Sequence, residues 1–203
     1  MLGVHPGHAS EWTAEAKASL AQRIADDHPV AIGEIGLDFF RGETNNDEQV
    51  TAFTEQLELA RLAGIPAAIH MRSSEMEMLD VLNHSSKLPT LLFHSFDGSS
   101  EIGSWIIDND GWIGVGGLST RKSSLALQHF ISKFPHNRVV LETDSPYLVP
   151  NGFKHRRNSP ESIPFIARHL ASLWDTTIAE VAHRTTANAE ALFRSLDNHE
   201  SAA

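Results

Sequence analysis

Short apolar runs alternate along this chain with longer stretches of helical period. Leu2 to Pro6 reads as the end of a strand that proline stops. Val30 to Leu37, Ile65 to His70, Thr90 to Phe96, Trp112 to Gly117 and Arg138 to Asp144 read as short buried strands. Between them the apolar positions recur at three and four residues. Ala16, Leu20 and Ile24 form such a stripe in Ala14 to Asp27, capped by Thr13, and Val50, Phe53, Leu57 and Ala60 form another in Asp47 to Ala63, ended by Gly64. Helices are also predicted over Glu75 to His84, Glu101 to Ile107, Leu125 to Phe134, Pro160 to Leu173 and Thr177 to Leu196, with Asn198 to Ala203 a frayed end.

Six strands separated by helices imply a parallel sheet with helical crossovers. Two architectures satisfy this order, a doubly wound open sheet and a TIM-like (β/α) barrel. No glycine-rich phosphate fingerprint follows the first strand, which weighs against the dinucleotide-binding form of the open sheet. In a barrel the chemistry lies at the C-terminal ends of the strands, and that is where this chain concentrates its polar residues. The expectation is one α/β domain of barrel type with a core from about residue 3 to 193.

Composition narrows the chemistry more than the fold. The 203 residues include no cysteine, which removes disulfides, thiolate metal sites and cysteine nucleophiles. No apolar run approaches the roughly 20 residues of a membrane helix, and no secretory leader is visible; the expected location is cytoplasmic. A net charge of −10 argues against non-specific attraction to phosphate backbones. It leaves room for a nuclease whose local field comes from bound cations. Of the twelve histidines, those in helical or loop stretches, such as His129, His136, His155, His169 and His183, need no special role.

The strand ends are different. Glu34 stands in the apolar run Val30 to Leu37, flanked by Gly33 and Gly36. An ionised carboxylate buried there costs several kcal/mol unless it is paired or binds a metal, and glycines in a strand often mark the close approach of another group. His5, His70, His94 and Asp144 follow or end the other strands. Carboxylate oxygen and imidazole nitrogen together suit a divalent ion such as Mg²⁺, Mn²⁺ or Zn²⁺.

The stretches Gly3-Val4-His5-Pro6, Gly33-Glu34-Ile35-Gly36-Leu37-Asp38, Ile69-His70-Met71-Arg72, His94-Ser95-Phe96-Asp97-Gly98 and Glu142-Thr143-Asp144-Ser145-Pro146-Tyr147-Leu148 resemble the successive signatures of the TatD-type metal-dependent hydrolases. Arg157-Asn158-Ser159-Pro160 and Thr185-Thr186-Ala187-Asn188-Ala189 with Leu192-Phe193 continue the resemblance. It implies a TIM-like barrel, a one- or two-metal centre and deoxyribonuclease activity. It makes Glu34 the carboxylate shared by two ions, His70 and His94 ligands of one, and Asp144 a ligand of the other and the group that orients or deprotonates the attacking water. It places Arg72 to meet a substrate phosphate, against the alternative of a surface ion pair. His5 contacts water or phosphate at the centre, or else caps the turn at Pro6. Arg157 and Asn158 anchor the loop after the last strand, and the face of Glu142 is left open.

Two departures qualify the resemblance. Asp97 brings a negative charge where the family has serine, disfavouring a phosphodiester unless it is turned away. The family also opens with a strand ending in His-x-His, which this chain does not contain. A complete barrel takes about 250 residues, so an N-terminally shortened form is expected, with one well-formed metal site, a second weak or absent, and reduced activity. The expected substrate is DNA, single-stranded or at its ends, with no protein partner. Two alternatives stay open: hydrolysis of a small amide or ester in the manner of the amidohydrolases, and an inactive remnant.

Overall fold

A computed structural model of the protein describes residues 1–40 and 46–193. Among the described residues the chain packs as two compact units, residues up to 93 with 192 and 193, and residues 94–191. Every strand pairing within a unit is parallel.

The first unit contains α1 (Ala14–Asp27), β1 (Ile32–Asp38), α2 (Asn46–Ala63), β2 (Ala67–Arg72), α3 (Glu75–His84) and β3 (Leu91–Phe93). β2 lies between β1 and β3. Thr13 caps α1 as expected, its Oγ1 accepting the Ala16 N–H at 3.2 Å. Gly64, at φ +68°, ends α2 in the left-handed conformation glycine favours. The first expected strand is reduced to one bridge between Leu2 and Ile32. There the Leu2 N–H donates to the Ala31 carbonyl at 3.3 Å and the Gly33 N–H to the Leu2 carbonyl at 2.8 Å. Pro6 then opens a 3₁₀ turn, Pro6–Glu11, because its fixed φ and missing N–H end the extended run.

The buried face of α2 is Gln49, Ala52, Phe53, Gln56, Leu57 and Ala60. Phe53, Leu57 and Ala60 keep their predicted place. At the start of the helix the polar Gln49 is buried and Val50 only half so, for a reason that belongs to the site.

The second unit contains α4 (Ser100–Asp108), β4 (Trp112–Val115), α5 (Leu125–Lys133), β5 (Val139–Leu141), α6 (Ile163–Leu173) and α7 (Ile178–Leu192). β4 and β5 pair as Ile113 with Val139 and Val115 with Leu141. Ile102, Ile106, Ile113, Ile131, Phe134, Val139, Ile166, Leu170 and Val181 form its apolar interior. Buried Asn188 on α7 donates to the carbonyls of His136 and Val139, both at 2.7 Å, and so ties the last helix to the start of β5.

β3 and β5 are shorter than the apolar runs suggested. Ser95 and Asp144 have φ of 48° and 54°, so the chain leaves the extended region soon after each strand. The part of the last helix expected beyond residue 193 lies outside the described residues. Among those residues no helix is long and apolar enough to cross a membrane.

Candidate metal centre

The placement of Glu34 follows from a register irregularity. Ile32 pairs with Ala67 and Ile35 with Ile69, so three residues of β1 run against two of β2. Ala67 and Ile69 share a face, so Ile32 and Ile35 share it too, and both isoleucines are fully buried. The extra residue turns Glu34 to the opposite face, with Gly36 and Asp38 of β1 and His70 and Arg72 of β2, which pair as Gly36 with His70 and Asp38 with Arg72. Regular alternation would have put Glu34 beside Ile32. The Glu34 side chain is about a third exposed, at 35%. The cost of full burial expected from its apolar surroundings therefore does not arise.

The two flanking glycines have a steric cause. A Cβ on Gly33 would stand 2.7 Å from Ala68 Cβ, and one on Gly36, at φ +142°, would run into the His70 carbonyl oxygen. The approaching group is the neighbouring strand that carries His70.

His5, Glu34 and His70 each offer one ligand atom, all within 4.8 Å of one another. His70 lies between two carboxylates: Nδ1 is 3.6 Å from Glu34 Oε2 and Nε2 is 3.3 Å from Asp38 Oδ2. Two ligands of one ion, each bound at roughly 2.0–2.2 Å, sit about 3–3.6 Å apart. The separation of Glu34 Oε2 from His70 Nδ1 matches that spacing, and a carboxylate beside an imidazole is a donor pair for a divalent ion. These residues fit a metal.

His5 meets His70 edge to face, with ring centroids 4.6 Å apart. Its Nδ1 accepts the Gly7 N–H at 3.0 Å, so it does cap the turn at Pro6. That contact uses the Nδ1 lone pair and leaves the proton on Nε2. Burial, with His70 adding to it, holds the His5 imidazole below its usual pKa. Buried Gln56 fixes the backbone just before it, accepting the Val4 N–H at 2.7 Å and donating to the Val4 carbonyl at 3.0 Å. Gln49, seven residues earlier on α2, clamps Asp38 in the same way, at 2.8 and 3.1 Å. Arg72 is exposed, and its guanidinium carbon lies 3.6 Å from the centre of the Phe40 ring. That is a cation–π contact; among the described residues no ion pair of Arg72 with a carboxylate is found.

In the second unit His94 is held by Glu142. Glu142 Oε2 lies 3.2 Å from His94 Nδ1, and Oε1 accepts the Ser95 N–H at 2.8 Å. The strand geometry that sequence left open is thereby decided: Glu142 faces His94, with Gly114 of β4 leaving the room a side chain would fill. Asp144 stands in the loop after β5. Asn158, 5% exposed, pins that loop by donating to the carbonyls of Thr143 at 2.7 Å and Leu148 at 3.2 Å. Arg157 is exposed, and the anchoring falls to Asn158. Asp97 is exposed and spends Oδ1 on the Ser99 N–H at 3.0 Å, capping a turn.

Sequence reasoning passed over Asp38, Gln49 and Gln56. The visible signal was two glutamines seven residues apart on the apolar side of α2, a spacing that keeps both on one face.

Imidazoles oriented by carboxylates at the C-terminal ends of parallel strands are how barrel hydrolases hold their metals. This chain is of that class, a metal-dependent hydrolase of (β/α)-barrel fold. Within the class it belongs to the TatD-related DNase family, whose profile matches residues 1–194. It is 36% identical over 200 residues to the 3′-5′ ssDNA/RNA exonuclease TatD of Erwinia amylovora, covering 94% of this chain and 76% of that protein. It is 31% identical over 194 residues to the uncharacterized metal-dependent hydrolase YabD of Bacillus subtilis, covering 95% and 76%. The crystal structure of YjjV, a TatD homologue from Escherichia coli, superposes with a TM-score of 0.87 at 30% identity, over 95% of this chain and 75% of that one.

Proposed function

We propose that this chain is a cytoplasmic phosphodiesterase of a single domain that cleaves single-stranded DNA or DNA ends with a divalent metal. The observation that carries the reading is Glu34 and His70 on the neighbouring strands β1 and β2, with His5 beside them, on the face that also carries Arg72. The exonuclease name of the Erwinia relative supports the choice of substrate.

Glu34 and His70 would hold one divalent ion, with His94 a further ligand of that ion and Asp144 a ligand of a second, as the motifs imply. The chemistry such an ion would supply is a lowered pKa for a bound water and polarisation of a phosphoryl oxygen. His5, protonated on Nε2 while Gly7 occupies Nδ1, donates a hydrogen bond to an anionic oxygen of the substrate. Arg72 swings from the Phe40 ring to pair with the phosphate through two parallel N–H donors. Asp144 orients the attacking water and accepts its proton. Glu34 and Asp144 alone are a poor second set, so one ion would be held firmly and a second weakly or not at all.

Incubation of 3′- and 5′-labelled single-stranded DNA with Mn²⁺ tests this reading, with Glu34→Ala as control. The expected result is Mn²⁺-dependent shortening of the strand that Glu34→Ala abolishes. Hydrolysis confined to small esters or amides would place the chain with the amidohydrolases, and absence of Mn²⁺ binding by calorimetry would make it an inactive remnant.

A further inference from the structure

Asp38 closes β1, and the motifs gave it no chemistry. Its two carboxylate oxygens have separate partners. Oδ2 lies 3.3 Å from His70 Nε2, and Oδ1 accepts the Phe40 N–H at 3.1 Å. Its main chain is held as firmly: the N–H and C=O both bond to the side-chain amide of Gln49, which is 4% exposed. The next residue, Phe39, donates its N–H to the Arg72 carbonyl at 2.9 Å. The carboxylate is thus fixed in place before any ligand arrives.

A neutral imidazole has one N–H and one lone pair, and an ionised carboxylate can only accept. The contact with Asp38 therefore requires the His70 proton on Nε2. That leaves the lone pair on Nδ1, the nitrogen 3.6 Å from Glu34 Oε2. The other tautomer would set a lone pair against Asp38 and place a proton where a cation must bind.

We propose that Asp38 is a positioning residue: it fixes His70 in the Nε2–H tautomer, so that Nδ1 faces Glu34 as a ready ligand for a divalent cation. The proposal rests on the metal-site reading above but concerns a residue that reading does not use. Asp38 acts on the metal only through His70.

Asp38→Asn is the discriminating variant. It is isosteric and keeps an oxygen for the Phe40 N–H. Its amide N–H₂ then faces His70 Nε2, which must accept, and the proton moves to Nδ1. The tautomer is read by ¹⁵N NMR of histidine-labelled, metal-free protein at a pH where the imidazoles are neutral, and Mn²⁺ affinity by calorimetry. In the wild type His70 should carry its proton on Nε2. In Asp38→Asn the proton should move to Nδ1 and Mn²⁺ affinity should fall about 10–100-fold, while the thermal melt stays cooperative and close to wild type. Phe40→Ala, which leaves its own N–H in place, should change neither. A wild type with the proton on Nδ1, or an Asp38→Asn protein that binds Mn²⁺ as the wild type does, overturns the proposal while the metal site stands. A wild type that binds no Mn²⁺ overturns the metal-site reading and the proposal with it.

Discussion

Gln49 and Gln56 stand seven residues apart on the buried face of α2, and each uses its side-chain amide to pair with both the N–H and the C=O of one residue in front of it. Gln56 holds Val4, which precedes His5, and Gln49 holds Asp38, which touches His70. A side-chain amide has the donor and acceptor of a peptide group. The two glutamines therefore act as a substitute strand edge, satisfying backbone groups where the chain start and the end of β1 run out of ladder partners.

Replacing either glutamine with alanine leaves two such backbone groups without a partner in a poorly solvated place. Gln56→Ala is expected to lose about 2–3 kcal/mol, and Gln49→Ala a similar amount. Urea denaturation followed by circular dichroism measures the loss. A change within about 0.5 kcal/mol, the range usual for surface substitutions, would mean that water replaces the amide at no cost.

Glu142→Gln tests the orientation of His94. Glutamine keeps the acceptor for the Ser95 N–H but can no longer act as an anionic partner of Nδ1. Mn²⁺ affinity should fall about 10–100-fold, with the fold retained. Calorimetry on the variant decides it, and wild-type affinity would remove Glu142 from any role at the metal.

Gly36 and Gly64 make a matched pair. Both have positive φ, at +142° and +68°, but a side chain at 64 meets nothing within 4 Å, whereas one at 36 runs into the β2 backbone. Gly64→Ala should cost about 1 kcal/mol, the penalty of the left-handed conformation. Gly36→Ala adds a clash that backbone cannot relieve, and should cost on the order of 3–5 kcal/mol. Comparison of their urea midpoints, or of their soluble yields, separates the two.

Stability should also weaken in mild acid. Burial holds the imidazoles of His136 and His169 below their usual pKa, with Arg184 adding to the effect at His136. The unfolded chain takes up protons at these sites near pH 6.5, where the folded protein still resists them. Their contribution is complete above that pH and is lost as the pH falls through and below it, ahead of the carboxylates. Urea midpoints measured from pH 8 to 5 should drop over this window. His136→Phe, which can keep the stack on Trp174 at 4.0 Å between centroids, should flatten part of the drop.

The alternation of apolar runs and helical stripes by itself determined the order of elements, the parallel sense of the strands and the places where polar residues collect. These follow from local periodicity and from chain connections too long for hairpins. It also brought Glu34, His70, His94 and Asp144 forward, because a charged or imidazole group ending an apolar run stands out in one dimension. Tertiary structure decided which way those groups turn. A single extra residue between Ile32 and Ile35 moved Glu34 to the face of His70; Gly33 and Gly36 mark an irregular place in the strand, but not its register against a strand some thirty residues away. Asp38, Glu142 and the two glutamines gained their roles in the same way, from partners that only folding brings within hydrogen-bond distance. A carboxylate's service to a particular histidine is a matter of a few ångströms and one shared proton, and the linear chain does not encode such distances locally.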